Sequence, residues 1–229
     1  MNARFITLDG IDGAGKSTHL AAMRQWFAQH NLPVLFTREP GGTPVGEALR
    51  ALLLNPATQA NLRTETLLMF AARQQHLDDV IRPALAAGTH VVSDRFTDAT
   101  FAYQGGGRGF DWYMLLALEQ MVLARSNAAA SITSAKAASK AGQSSGSLQE
   151  PDLTLWFDLP ASVAAARLSA ARTPDKFEAE PEQFFENVNR GYARRAAENP
   201  QRFVRIDAAQ SVEAVRQQVL DAVRAKGWL

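Results

Sequence analysis

Cysteine is absent from the 229 residues, which excludes disulfides and thiolate metal sites and agrees with a reducing compartment. Histidine is scarce: His19, His30, His76 and His90 lie far apart and show no ligand spacing, so none marks a metal centre. An excess of either charge is missing too. With a net charge of +1 and the charges interspersed, neither a nucleic-acid surface nor a membrane surface is expected. No apolar run is long enough to span a bilayer, and Met1-Asn2-Ala3-Arg4 leads into a strand pattern with no signal peptide. The expectation is a soluble cytoplasmic protein, one α/β domain over residues 1–229, large enough to bury a full core.

What is present is concentrated near the amino terminus. Gly10-Ile11-Asp12-Gly13-Ala14-Gly15-Lys16-Ser17-Thr18 fits the spacing Gly, four residues, Gly-Lys-Ser/Thr of a phosphate cradle. Backbone N–H groups must converge on one point there, and the glycines permit the bend. Lys16 supplies a movable positive charge for the outer phosphates, and the Ser17 hydroxyl can hold a Mg²⁺ that bridges them. The flanks fit: Phe5-Ile6-Thr7-Leu8 favours a strand, and Leu20, Met23 and Phe27 recur with a helical period. Gly10, Asp12, Gly13, Ala14, Gly15, Lys16, Ser17 and Thr18 are therefore the expected nucleotide-binding residues.

Strands are also predicted at Val34–Thr37, His90–Asp94, Asp152–Asp158 and Phe203–Asp207, alternating with helices. Loops at the carboxyl ends of parallel strands carry ligands in such folds, so Arg38 and Glu39 are candidates, a solvated loop being the other reading. Thr43 and Pro44 start a helix with Val45, Leu49 and Leu52 on its apolar face. A long helix over 64–87 puts Phe70 and Arg73 on one side, where ring and guanidinium can hold a flat, carbonyl-bearing base, or act as core and surface charge. Asp94 is placed for the Mg²⁺ shell and Arg95 for a second phosphate. Tyr103-Gln104-Gly105-Gly106-Gly107-Arg108-Gly109 is too glycine-rich for a helix interior, and Asp111 caps the next helix. Residues 126–149, rich in Ala, Ser, Lys, Gly and Gln, are expected to form a low-complexity, disordered or loosely helical surface insertion, a regulatory arm being the other reading. Ser162 caps a short helix, beyond which Arg167, Arg172 and Lys176 gather in a stretch at about 167–180 that can serve as a lid.

Taken together, Gly10 to Thr18, Arg38-Glu39-Pro40-Gly41-Gly42-Thr43, Phe70-Ala71-Ala72-Arg73, Asp94-Arg95, Tyr103 to Arg108 and Pro151 to Leu155 stand in an order that resembles the bacterial thymidylate kinase family. The resemblance implies a P-loop fold with a five-stranded parallel sheet, helices on both faces and a small lid. It also implies a homodimer, and transfer of the ATP γ-phosphate to thymidine 5′-monophosphate (dTMP) with Mg²⁺. Carried over residue by residue, Asp12 approaches the sugar 3′-hydroxyl, Arg95 clamps the monophosphate, Phe70 stacks on thymine and Arg73 bonds its O4. Thr100 and Gln104 lie where the family reads the base edge, and Tyr103 crowds the 2′ position. The catalytic set so implied is Lys16, Arg95 and Asp12 with Arg167 or Arg172 from the lid, because positions 11–14 carry no arginine; the metal ligands are Ser17 and Asp94. Two stretches depart from the family: Lys176 precedes Phe177 where relatives usually have arginine, and the insertion has no counterpart. Another nucleoside monophosphate kinase would share the cradle; a GTP-dependent switch would need an Asn-Lys-x-Asp, which is missing.

Overall fold

The computed structural model describes residues 2–125, 148–169 and 180–228. Five strands, β1 (Phe5–Asp9), β2 (Val34–Arg38), β3 (His90–Asp94), β4 (Leu153–Asp158) and β5 (Phe203–Asp207), form one sheet in the order β2-β3-β1-β4-β5. All four pairings are parallel, with Leu8 opposite Asp94 on one side and Leu155 on the other. The chain thus leaves β1 for one half of the sheet and later returns for the other. The reversal of order falls at the carboxyl end of β1, where such sheets bind ligands.

Helices α1 (Lys16–Gln29), α2 (Pro44–Leu54), α3 (Leu62–His76), α4 (Arg82–Ala86), α5 (Thr97–Thr100), α6 (Trp112–Leu123), α7 (Ala161–Ser169), α8 (Glu182–Glu198) and α9 (Val212–Ala225) complete the described fold. Alternation along the central strands feeds two cores. Ile6 and Val92 join the cluster holding Met23 and Phe27 of α1 and Val215 and Val219 of α9; Phe5 and Val91 join that of Phe70 in α3 and Leu115 in α6. Thr43, Asp111 and Ser211 accept hydrogen bonds from the first turns of α2, α6 and α9, as their positions predict. Ser162 instead lies inside α7, one residue past its start.

The glycine-rich stretch departs from expectation. Phe101–Gly107 is a π-helical turn continuing α5, and its glycines serve a helix crossing rather than an irregular loop. A Cβ on Gly106 would stand 2.7 Å from the Asn187 carbonyl oxygen, and one on Gly191 of α8 would stand 2.8 Å from Ala102 Cα. Only glycine lets the two backbones meet so closely. The expected long helix over 64–87 is likewise α3, a π-helical stretch Leu77–Ile81, and α4.

Val45 and Leu52 of α2, predicted to face inward, are exposed, as are Leu67 of α3 and Tyr113, Met114 and Met121 of α6. At the insertion, Leu148 bridges antiparallel to Ala124 and the Gln149 N–H donates to the Leu123 carbonyl at 2.7 Å, so both belong to the packed domain. The rest of the expected insertion, 126–147, lies outside the described residues, as do Arg172 and Lys176 of the expected lid.

Candidate functional site

The loop after β1 has the geometry its glycines predict. Gly10, Gly13 and Gly15 all have positive φ, and at Gly10 a Cβ would stand 2.4 Å from the Phe157 carbonyl oxygen of the neighbouring strand. Gly15, at φ +86°, precedes α1, whose first N–H groups open toward the loop. Lys16 folds back into it, donating from Nζ to the carbonyls of Gly10 at 2.9 Å and Ile11 at 3.0 Å. Burial and then the Arg95 charge push its pKa down, against the carboxylates of Asp12, Asp94 and Asp9. A cation held only by loop carbonyls is poised for an anion. Ser17 is exposed beside it.

At the end of β3, Arg95 adopts φ +70°, an uncommon conformation for a non-glycine residue. Its Nη2 donates to Asp12 Oδ1 at 2.8 Å and to the Tyr103 hydroxyl at 3.0 Å, while that hydroxyl donates to Asp12 Oδ2 at 2.9 Å. Burial alone would raise the Asp12 pKa, yet the charges of Arg95 and Lys16 and the Tyr103 hydrogen bond hold it well below the usual carboxylate range. From the other side, Arg95 Nη1 donates to Tyr192 of α8, and the Tyr192 hydroxyl donates to Oδ1 of the fully buried Asp9. Burial, followed by repulsion from Asp98, pushes the Asp9 carboxyl up to about 7 against the opposing charges of Arg95 and Lys16. At Asp94, Oδ1 is buried and has no hydrogen-bond partner among the described residues.

A pocket opens next to this cluster, lined by Asp12, Arg95, Tyr103, Arg73, Thr100 and Gln104 together with Glu39, Pro40, Arg50, Leu53, Leu54, Met69, Phe96 and Ala99. Six of the eight residues expected to bind substrate therefore share one cavity. The other two do not line it. Arg38 points to the surface and pairs with Glu47 at 2.9 Å. Phe70 is 2% exposed and lies behind Arg73, whose guanidinium carbon is 4.9 Å from its ring centroid; the rings of Phe96 and Tyr103 line the wall instead. Arg73 itself is buried against Glu39, and among the described residues its Nη1 has no hydrogen-bond partner, nor do the buried amide oxygen and nitrogen of Gln104.

Glu39, a candidate from its loop position, does line the pocket, whereas Tyr192, Phe96 and Asp9 were not expected there. Glu39 had only its loop position to mark it, and Tyr192 lies within a helix whose apolar period hides it. On the opposite side of the P-loop, Arg167 of α7 reaches toward the Gly13 carbonyl at 3.4 Å and the Ala208 carbonyl at 3.3 Å. A second set of buried charges braces the pocket from behind. Asp98 of α5 binds Arg195 at 2.7 Å and Arg202 at 2.6 Å, Glu119 binds Arg195 at 2.6 Å, and the Arg195 guanidinium covers Phe101. The set is balanced, two against two, as buried charges need to be.

The comparisons with known proteins agree with this geometry. A family model described as thymidylate kinase matches residues 8–128 and 126–219. Thymidylate kinase of Albidiferax ferrireducens is 53% identical over 225 residues, covering 98% of this chain and 97% of that protein. Thymidylate kinase of Neisseria gonorrhoeae is 53% identical over 219 residues, covering 96% and 95%. Among solved structures, thymidylate kinase from Ehrlichia chaffeensis is similar with a TM-score of 0.71 and 27% identity, over 98% of this chain and 99% of that one.

Proposed function

Because the chain belongs to the thymidylate kinase family, we infer that it transfers the γ-phosphate of ATP to dTMP and releases the diphosphate. The observation that carries the substrate side is the unpartnered, buried polar wall of the pocket: Arg73 Nη1 and both amide atoms of Gln104. Such groups cost about 1–3 kcal/mol each when left unsatisfied, and a pyrimidine edge with carbonyls and a ring N–H supplies what they lack. In this reading Arg73 donates to O4, Thr100 and Gln104 meet the rest of the edge, and Phe70 backs the guanidinium. Asp12 takes the sugar 3′-hydroxyl, Tyr103 crowds the 2′ position and Arg95 holds the 5′-phosphate.

An oxygen of that phosphate attacks Pγ as the bond from Pγ to the β–γ bridging oxygen breaks. A dianionic acceptor has no proton to give up, so the protein's work is to manage charge and alignment. Lys16 exchanges the carbonyls of Gly10 and Ile11 for the β- and γ-phosphates, and Arg167 or Arg172 brings positive charge to the transferring group. Ser17 and Asp94 suit Mg²⁺. These two residues would hold the ion, Asp94 through its buried Oδ1, which has no hydrogen-bond partner among the described residues. When bound, it neutralises phosphate charge.

The exposed apolar residues of α2, α3 and α6 support a homodimer joined through those helices. No helix among the described residues is long and apolar enough to cross a membrane, in keeping with a cytoplasmic enzyme. A coupled assay for ADP formation tests the reading. Turnover should require dTMP; equal ADP formation without it would overturn the assignment.

A further inference from the structure

Arg73 is gripped from three directions and offers the pocket a single edge. Its Nε donates to Glu39 Oε2 at 2.7 Å, and Nη2 donates to Thr100 Oγ1 at 3.0 Å and to the Phe96 carbonyl at 3.2 Å. Behind Glu39 the contacts continue. His76 Nδ1 is 2.9 Å from Glu39 Oε1, and His76 Nε2 is 2.7 Å from Thr37 Oγ1. Glu39 and Arg73 are almost fully buried and His76 is completely so.

A carboxylate only accepts hydrogen bonds, so Nδ1 of His76 carries the proton between them. The Thr37 hydroxyl, which can both donate and accept, holds the other ring nitrogen. Glu39 balances the arginine's charge, and the hydrogen bonds run unbroken from Thr37 on β2 to the pocket. The backbone encloses the line as well: at Gly42, φ +80°, a Cβ would stand 2.5 Å from His76 Nε2 and 2.7 Å from Thr37 Oγ1.

We propose that Glu39 and His76 are positioning residues for base choice, fixing the guanidinium plane of Arg73 so that only Nη1 reads the substrate. This rests on the reading of Arg73 as the donor to O4 and deepens it. An unpaired arginine would be drawn to any electron-rich edge and to the nearby monophosphate. With its charge balanced and its plane fixed, it discriminates by direction: a carbonyl at that point is accepted, whereas an amino group meets donor with donor.

The test is kcat/KM for dTMP and for deoxycytidine monophosphate, with melting temperature as a folding control, in wild type, Arg73→Ala, Glu39→Gln, Glu39→Gln/Arg73→Ala, Thr37→Val, His76→Leu and His76→Asn. Glu39→Gln, close in shape, should lower the thymine-to-cytosine ratio roughly tenfold, chiefly through KM for dTMP, with KM for ATP unmoved. Thr37→Val should lower the ratio about two- to fivefold, the loss of one neutral hydrogen bond. His76→Asn, whose amide can donate where Nδ1 does, should keep more of the ratio than His76→Leu. In the Arg73→Ala background Glu39→Gln should change the ratio no further. If Arg73→Ala leaves the ratio intact, the base-reading role itself fails. If Arg73→Ala removes it while folded Glu39→Gln preserves it, the reading stands and the positioning proposal is overturned; should the His76 variants not fold, Glu39→Gln and Thr37→Val decide.

Discussion

The hydroxyl of Tyr192 stands between two charges, accepting a hydrogen bond from Arg95 Nη1 at 3.2 Å and donating one to Asp9 Oδ1 at 3.3 Å. Arg95 is thereby held by α8 as well as by Asp12 and Tyr103. Tyr192→Phe keeps the buried ring and removes this grip. KM for dTMP should rise about three- to tenfold, with kcat and KM for ATP changing less, as expected when one hydrogen bond to a binding residue is lost. Steady-state kinetics in both substrates check it; an effect confined to ATP would place Tyr192 on the wrong side of the reaction.

Asp9 makes stability depend on pH. Its native pKa, raised to about 7 by burial and then by Asp98, exceeds the ordinary value of 3.8. Between those values the native state holds a proton that the unfolded chain has released. The contribution is therefore complete below 3.8 and is lost as the pH rises to about 7. Asp9→Asn cannot titrate, so the fall in melting temperature between about pH 5 and pH 8 should be smaller than in wild type. Parallel slopes would show that Asp9 is not the group responsible.

Two glycines of the same loop should respond differently to alanine. At Gly10 the added carbon meets the Phe157 carbonyl, so Gly10→Ala must push β4 from β1 and lower the melting temperature sharply. At Gly15 nothing lies within 4 Å, and only the left-handed backbone resists, by about 1–2 kcal/mol. Gly15→Ala should fold and show a raised KM for ATP. Similar thermal denaturation of the two variants would contradict the distinction.

Met114 and Met121 lie on one face of α6, about two turns apart, and both are exposed. If that face joins two copies, glutamate at both positions should convert a dimer to a monomer in light scattering while the circular dichroism spectrum is retained. A wild-type monomer, or an unaffected dimer in the variant, would remove α6 from the interface.

The cradle was legible because its function is imposed through backbone shape, and backbone shape selects glycine in the sequence itself. Helix caps were legible for a similar reason: Thr43, Asp111 and Ser211 act within three residues of where they stand. Asp12, Arg73 and Tyr103 took their roles from likeness to a family, and the structure brings them into one pocket. Contacts that cross the chain were not legible. Arg95 meets Tyr192 and Arg73 meets Glu39 through the folded sheet, and neither pair leaves a local pattern. The exposure of Val45 and Leu52 escaped notice because an apolar helical stripe reads alike whether it faces a core or a second molecule. The triple glycine misled in the other direction, since glycine at a close helix crossing and glycine in a loose loop are written with the same letter.

Because β1 lies between β3 and β4, it must wait for both of its neighbours to be synthesised, whereas β3 is made with both of its own, β2 and β1, already present. The wall that the Phe157 carbonyl presents to Gly10 does not exist until β4 has been synthesised, two-thirds of the way along the chain. A nascent chain therefore carries the complete cradle sequence for most of its synthesis without the cradle. ATP, abundant though it is around the ribosome, has no formed site with which to stabilise that intermediate, and the apolar Phe5, Ile6 and Leu8 must wait for partners made much later.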